Sequence, residues 1–383
     1  MKIGLLGHGV VGSGVSRIID DGKTWEVREL EIKKILVKDE SEMTDERMTL
    51  NAADILDDPE IDIVAECMGG LEPAHSFLMR ALKNGKHVVT SNKKMLATYC
   101  EDLFDLAREN NVTVHYEASC GGGIPWMASL DRTRRVDDID SFRGIFNGTT
   151  NYILSRMSKE GSSFLDVLKD AQKLGYAEQD PTDDIDGYDV RYKVALSAVK
   201  AFDSVISASD IITFGIRSIS ADDLAWCREK GLTCKLIGKG AYHGDHISAC
   251  VIPMFLKNSD VFSNIPMNFN AIESSSGTLG AAVFVGQGAG SLPTAHAVVQ
   301  NVIDIWKDQD SEINPKFKKP VDNSSYEGVY YIRTEKPEAF SAVCAEKVSD
   351  SVLITKKTSL VEIQKMIHDA QDESLFIAEV DSL

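Results

Sequence analysis

Basic residues are in short supply. Lys and Arg number 41 against 59 Asp and Glu, a net charge of −18 over 383 residues, and no block of five or more cations occurs. A surface of that sign repels a polyanion, so no nucleic-acid partner is expected; Lys316–Lys319 reads as a solvated loop. Long apolar runs are missing too. Those around residues 1–6 and 61–65 fall far short of the ~20 residues that a bilayer span needs, so no membrane partner is expected. A strand-like run begins at Lys2, which leaves no room for a charged and then apolar leader, and the expected location is the cytoplasm. Paired cysteines are absent as well. The seven, at 67, 100, 120, 227, 234, 250 and 344, are odd in number and scattered, with no C-x-x-C. That argues against a zinc site or a disulfide framework and fits a reducing compartment.

What is present is ordinary globular material. Hydrophobic residues make up 43% and charged residues 26%, enough for a buried core. At roughly 150 residues per domain, the length suggests two or three domains. The first ~135 residues alternate strand-like and helix-like segments, the grammar of a doubly wound parallel α/β sheet. Strands are expected at Lys2–Leu6, Leu30–Val37, Ile61–Ala65, His87–Thr90 and Thr113–Glu117, with helices such as Ala74–Asn84 and Tyr99–Asn110 between them. From about Asp138 the pattern changes. Ile139–Phe146, Cys234–Gly238, Ile247–Leu256, Met267–Glu273 and Ala282–Gly286 read as a mostly antiparallel or mixed sheet. Two helices interrupt it: Phe164–Leu174, with Ser163 and Asp166 as a capping box and Gly175 as the stop, and Tyr188–Phe202.

Domain limits follow from this. Residues 1–137 form a dinucleotide-binding domain, completed by a helix at 292–310. Residues 138–291 form a second α/β domain, 311–324 a linker, and 325–383 a small α+β domain in the order βαβαβ, with a helix expected over Pro337–Val348. A module of about 60 residues is marginal alone and is expected to be docked or dimerised.

Gly7-His8-Gly9-Val10-Val11-Gly12 follows a strand and opens a helix. Gly7 permits the tight turn, Gly9 lets backbone amides reach a pyrophosphate, and Gly12 allows close packing of helix on strand. The helix N-terminus then favours the anion. The second strand ends Val37-Lys38-Asp39, which supplies both signs. Lys38 suits a 2′-phosphate; Asp39 suits a ribose 2′-OH or simply faces water. The reading leans to NADP and leaves NAD open.

Three further motifs are ambiguous in isolation. Thr90-Ser91-Asn92-Lys93-Lys94 ends the fourth strand, where a lysine binds a carboxylate or polarises a carbonyl, or is merely a solvated pair at a helix start. Glu117-Ala118-Ser119-Cys120-Gly121-Gly122-Gly123-Ile124 is glycine-rich and can wrap a cation or a phosphate with its backbone; Cys120 is a buried thiol or a nucleophile. The acidic stretch Gly175–Asp189 leads to Lys193. Asp189 and Lys193, four apart, share a helix face. With Glu178 and Asp184 they can hold an amino group and a hydroxyl while the lysine moves a proton, or they are a solvated acidic loop or a calcium-like site.

Taken together, GHGVVG, the Thr90–Lys93 segment, YEASCGGGIP, GIFNGTTNYIL (Gly144–Leu154), GYAEQDPTDDIDGYDVRYK and GQGAGSLPTAHAV (Gly286–Val298) resemble the homoserine dehydrogenase family, in the expected order over about residues 1–300. The resemblance implies reversible NAD(P)-dependent interconversion of L-homoserine and L-aspartate 4-semialdehyde, in the route to threonine, methionine and isoleucine. It implies a Rossmann domain and an α/β substrate domain that also dimerises, and hence a homodimer. It places Gly9, Val10 and Val11 at the cofactor's phosphates, Thr90 and Lys93 near the nicotinamide, and Gly288 on a returning loop. Glu178 and Asp189 would hold the substrate, supported by Asp184, with Thr149 and its neighbours in Asn147–Asn151 suited to the α-carboxylate. Lys193 would be the proton donor and acceptor, with Lys93 a second candidate. A monovalent cation, sodium, would bind backbone oxygens of Glu117, Cys120, Gly122 and Ile124.

Some positions depart from the family's usual pattern: His8, Lys94 and His296 are unusual residues at their places. The last 60 residues depart most. They look a strand short of an ACT-type βαββαβ module and lack an Asp-x-Pro-Gly ligand turn. With no kinase domain upstream, the expected form is monofunctional. Two other functions fit parts of the pattern: a phosphorylating semialdehyde dehydrogenase using Cys120, and a non-catalytic dinucleotide-sensing regulator.

Overall fold

Six short strands near the N-terminus, β1 (Lys2–Leu6), β2 (Glu31–Leu36), β3 (Met48–Thr49), β4 (Ile63–Glu66), β5 (His87–Thr90) and β6 (Val114–His115), pair only in parallel. Parallel neighbours cannot be joined by a hairpin, so crossover segments must join them; most carry a helix, and that between β2 and β3 only a 3-10 turn at Glu40–Glu42. The computed structural model describes residues 1–308 and 318–381 and divides them into two compact units. The first comprises 1–138, 195–207 and 286–318, apart from 309–317, which are outside the described residues.

In this first unit the strand order is β3-β2-β1-β4-β5-β6. The chain winds outward from β1 in one direction, then returns to β4 and winds outward in the other. The reversal leaves a crevice beyond the carboxyl ends of β1 and β4, the place where open α/β sheets bind ligands. Ile3, Leu5, Ile35, Ile63 and Val89 of the sheet pack with Val15 of the helix Val10–Asp21 and with Val298 and Val302 of the helix Ser291–Trp306. Each such fully buried aliphatic side chain contributes about 1.5–3 kcal/mol. The two helices approach closely at Gly14, where a Cβ would stand 2.9 Å from that of Ala295. The returning helix, expected over 292–310, runs Ser291–Trp306, and 309–310 lie outside the described residues.

The second unit comprises 139–194, 208–285 and 319–383, apart from 382–383, which are outside the described residues. Its sheet contains β7 (Ile139–Ile145), β8 (Ile212–Thr213), β9 (Leu232–Tyr242), β10 (Ile247–Lys257), β11 (Phe269–Ser276) and β12 (Gly280–Gln287). β10 is buried along its whole length except Lys257, which explains why its sequence is apolar from Ala249 to Leu256 rather than alternating. Helices Gly148–Glu160 and Ala221–Glu229, for which the sequence pattern gave no expectation, add to the expected Phe164–Lys173 and Tyr188–Phe202. Ser163 does cap its helix by accepting the Asp166 N–H, but the Asp166 carboxylate takes the Ser163 hydroxyl. The full reciprocal box lies at Ser220 and Asp223 instead.

The C-terminal segment corrects two expectations. Pro337–Val348 is not a helix: Pro337–Phe340 forms a single 3-10 turn, and Cys344–Lys347 is a strand. With that strand counted, β13 (Glu327–Gly328), β14 (Tyr330–Arg333), β15 (Cys344–Lys347), β16 (Val352–Thr355), β17 (Thr358–Ser359) and β18 (Phe376–Val380) leave nothing missing from the four-stranded pattern. The order β18-β14-β16-β15 continues the large sheet, β18 pairing in parallel with β10. β15 is hard to see in the sequence because Ala345, Glu346 and Lys347 face water at the sheet's edge, so no apolar alternation marks it.

The expected linker, 311–324, lies outside the described residues from 311 to 317. Beyond them, Val321 pairs with Ile247, and Asn323 exchanges two hydrogen bonds with the backbone of Ala249, at 2.9 and 3.1 Å.

Candidate functional site

In the first unit, the phosphate-binding turn is built as its glycines demand. Gly7 has φ +92, and a Cβ on Gly12 would stand 2.0 Å from the Gly7 carbonyl oxygen. Gly9, by contrast, faces open space, and as N-cap of the helix Val10–Asp21 it offers no capping side chain. No acid lies in the first turn. The leading amides, at Val10, Val11 and Gly12, therefore present a partial positive charge that suits a phosphate. This cradle fits a dinucleotide.

Lys38 is exposed just beyond β2, while the carboxylate of Asp39 turns back to accept the N–H of Ser41 at 3.0 Å and its hydroxyl. At the end of β5, the Thr90 hydroxyl donates to Glu66 at 2.6 Å. Asn92 caps the next helix by accepting the Met95 N–H, which puts Lys93, half-buried, at its first position and Lys94 in solvent.

The glycine-rich segment after β6 packs on the loop before the returning helix. Gly123 donates to Gln287, and a Cβ on Gly122 (φ +60) would stand 2.5 Å from the Gly288 carbonyl carbon. The carbonyls of Glu117 and Ile124 each accept one backbone N–H, from Cys120 and Trp126, and a carbonyl has a second lone pair for a cation. Among the described residues no cluster of three His, Cys, Asp or Glu side chains could hold a metal ion; backbone oxygens are a different donor set, suited to a hard cation. The Glu117 side chain is used elsewhere. It accepts the N–H groups of Met127 and Ala128 at 2.9 and 2.7 Å, and burial pushes its carboxyl up to about 7. The Cys120 thiol is buried, 3.6 Å from the Ser197 hydroxyl.

In the second unit the predicted acidic and basic residues converge. β7 ends at Ile145, and Asn147 caps the following helix by accepting the Thr150 N–H at 2.8 Å. Its amide then donates to Asp184 at 2.6 Å and to Asp189 at 2.8 Å. Lys193 donates to Asp189 at 2.7 Å and to the Phe146 carbonyl at 2.7 Å. Asp189 and Lys193 are 5% and 7% exposed, so the pair acts in a medium where its mutual attraction is strong. Thr149 donates to the Tyr176 carbonyl. Glu178 stands apart: it is exposed, and no hydrogen bond joins its carboxylate to the cluster among the described residues.

Sequence reasoning missed two participants. Asn270, fully buried on β11, donates to the same Phe146 carbonyl at 2.9 Å, and its own Oδ1 has no partner among the described residues. Glu66 is the other; an acid closing an apolar strand at the carboxyl edge of the sheet was the signal available.

A family model described as "Homoserine dehydrogenase" matches residues 125–303, and one described as "Homoserine dehydrogenase, NAD binding domain" matches 7–117. The homoserine dehydrogenase of Bacillus subtilis is 38% identical over 340 residues, covering 85% of this chain and 78% of its own. The chain belongs to the homoserine dehydrogenase family. The Synechocystis enzyme of that name is 39% identical over 80% of this chain and 73% of its own. A crystal structure of a homoserine dehydrogenase from Thiobacillus denitrificans superposes with a TM-score of 0.88 at 30% identity, over 100% of this chain and 98% of the other. That of the S. aureus enzyme at pH 7.5 gives 0.78 at 31%, over 100% and 99%.

Membership fixes the activity. The protein is an NAD(P)-dependent oxidoreductase that interconverts L-homoserine and L-aspartate 4-semialdehyde, in the biosynthesis of threonine, methionine and isoleucine. The family and the α/β fold anticipated from the motifs are borne out. Neither the thiol-based dehydrogenase nor the dinucleotide sensor is favoured.

Proposed function

We propose that Lys193 is the proton donor and acceptor of this homoserine dehydrogenase, and the observation that carries the reading is its buried contact with Asp189. Reducing an aldehyde needs a hydride at carbon and a proton at the developing alkoxide. The bound nicotinamide supplies the hydride. The Lys193 ammonium faces the oxygen, stabilises its charge and delivers the proton, while the Asp189 carboxylate balances and orients the ammonium. Asp189 and Glu178 hold the substrate's polar ends, while Asp184 acts through Asn147. Thr149 serves the α-carboxylate, and Lys93 is a second candidate for proton transfer or carboxylate binding.

The cofactor is assigned to residues 1–137 with the returning helix, on Gly7, Gly9, Val10, Val11, Gly12, Thr90, Lys93 and Gly288. Residues 138–291 take the substrate, and 325–383 form the small third module. NADP is the preferred coenzyme: the Asp39 carboxylate is spent on Ser41, whereas Lys38 stays exposed and ready for a 2′-phosphate. The backbone oxygens of Glu117, Cys120, Gly122 and Ile124 would hold a sodium ion, whose charge would tie this segment together.

The enzyme works as a homodimer. β12 is an edge strand with Val283 and Val285 36% and 52% exposed, the kind of edge that a second chain covers. A cytoplasmic location agrees with seven free cysteines. No helix among the described residues is long and apolar enough to cross a membrane.

The test is the initial rate of homoserine-dependent reduction of NADP+ and of NAD+, with sodium, potassium or neither, for the wild type and Lys193→Ala. A variant that keeps its fold and still turns over at the wild-type rate removes Lys193 from the role. Equal kcat/KM for the two coenzymes removes the NADP preference.

A further inference from the structure

β4 ends in Glu66, a carboxylate with no exposed surface. An acid is an expensive choice for filling such a space, since an apolar side chain of similar size avoids the desolvation cost. The Glu66 side chain is instead fully engaged. One oxygen accepts the N–H groups of Met68 and Gly69, at 2.7 and 3.2 Å; the other accepts the Thr90 hydroxyl at 2.6 Å.

The contacts continue on both sides. Thr90 Oγ1 accepts the Asn92 N–H at 3.0 Å, and the Asn92 amide donates to the Gly70 carbonyl at 2.7 Å. Glu66, Thr90, Asn92 and the turn 67–70 thus form a closed circuit over the carboxyl ends of β4 and β5. Gly69 and Gly70, at φ +81 and +76, give the turn its shape. Its other side abuts the phosphate turn: Cys67 donates to Leu6 at 2.8 Å, and a Cβ on Gly7 would stand 3.0 Å from the Cys67 carbonyl oxygen and from Met68 Cγ. One buried carboxylate therefore links the glycine turn after β1 to Thr90 at the end of β5, at the point where the strand order reverses.

We propose that Glu66 is a positioning residue for the coenzyme, fixing the turn 67–70 and the Thr90 hydroxyl in register with the glycine turn so that the dinucleotide meets a preformed berth. The inference rests on the reading of this end of the sheet as the coenzyme site. It extends that reading to a residue that touches the berth only through its neighbours.

Coenzyme Kd, measured by quenching of protein fluorescence with NADP+ and NAD+, tests it in the full chain. Glu66→Ala leaves the Met68 and Gly69 amides and the Thr90 hydroxyl unpaired, and its Kd rises by about tenfold or more. Glu66→Gln restores binding to within about threefold, because an amide oxygen still accepts both N–H groups and the amide nitrogen can donate to Thr90. Homoserine KM at saturating coenzyme stays within about twofold, and Thr90→Val adds little to Glu66→Ala, as expected of residues acting as one unit. A folded Glu66→Ala enzyme with wild-type Kd overturns the proposal. So does a variant in which Kd, homoserine KM and melting temperature all fail together without rescue by Gln. Should Glu66→Ala not fold, Glu66→Gln and Thr90→Val decide: Thr90→Val must raise Kd several-fold, and wild-type binding by both overturns the assignment. Failure of the wild type itself to bind either coenzyme would sink the site reading, a separate outcome.

Discussion

Lys193 Nζ lies 2.7 Å from Asp189 Oδ2, one helical turn earlier, and both side chains are less than a tenth exposed. Helix periodicity brings the two together, and the Phe146 carbonyl takes a second ammonium proton. The lysine is therefore held in one orientation before any substrate arrives. Lys193→Ala is expected to lower kcat by about 10²–10⁴-fold, the usual share of a positioned acid–base group, with an unchanged far-ultraviolet spectrum and unchanged coenzyme Kd. Single-turnover rates that match the wild type would assign the proton to another group.

Asn147 connects this pair to Asp184 through two donated hydrogen bonds. Replacing it by Asp puts a third carboxylate beside two others where donors are required. Repulsion and the lost N–H groups act in the same direction, and Asn147→Asp should lose more than Asn147→Ala does. An expected ordering of kcat/KM is wild type, then Ala, then Asp, with the Asp variant about 10²-fold below the wild type. The reverse order of the two variants contradicts the geometry.

Much of this site is legible in the amino-acid sequence alone. The Asp189–Lys193 spacing, the glycine turn and the strand-ending polar segments depend on local chemistry, and local chemistry is written in consecutive residues. Asn270 is not legible there, and Glu66 shows only as an acid ending an apolar strand, because their partners lie across strands: Phe146 is 124 residues from Asn270, and Thr90 is 24 from Glu66. β15 escapes for a different reason. An exposed edge strand has no buried face to impose alternation, so its sequence carries no period. The helix Gly148–Glu160 hides behind Thr149 and Thr150, which sit in its first turn next to the Asn147 cap and are poor helix formers.

The C-terminal strands are tied into the second unit by a buried carboxylate. Asp223, fully buried, accepts from the Ser220 N–H and hydroxyl, the Tyr331 hydroxyl and the Arg333 guanidinium, the last at 2.9 and 3.1 Å. Asp223→Ala takes the anion from the Arg333 guanidinium, which keeps only the Ser218 and Ser374 carbonyls, and the acceptor from the Tyr331 phenol, and should cost about 2–4 kcal/mol of unfolding free energy. Urea denaturation provides the measurement. A loss below about 1 kcal/mol would mean that the network is incidental to the attachment of β14.

Lys235 offers a pH test away from the reacting groups. It is buried on β9, donating to the Asn151 side chain and the Ile265 carbonyl, both at 2.7 Å, and burial lowers its pKa to about 8 from 10.5. Between those values the unfolded chain holds a proton that the folded chain has released, so stability should rise with pH across that window. Below about 8 both states are charged, and the native state bears the cost of the buried ammonium. Lys235→Met removes the titration. The wild-type advantage over the variant should therefore widen from pH 8 to 10, by an amount on the order of 3 kcal/mol at most. Paired melting curves in matched buffers measure it, since other titrating groups cancel in the difference. A gap that narrows as pH rises would place an uncompensated negative charge beside Lys235, and the neutral acceptors Asn151 and Ile265 leave no room for that.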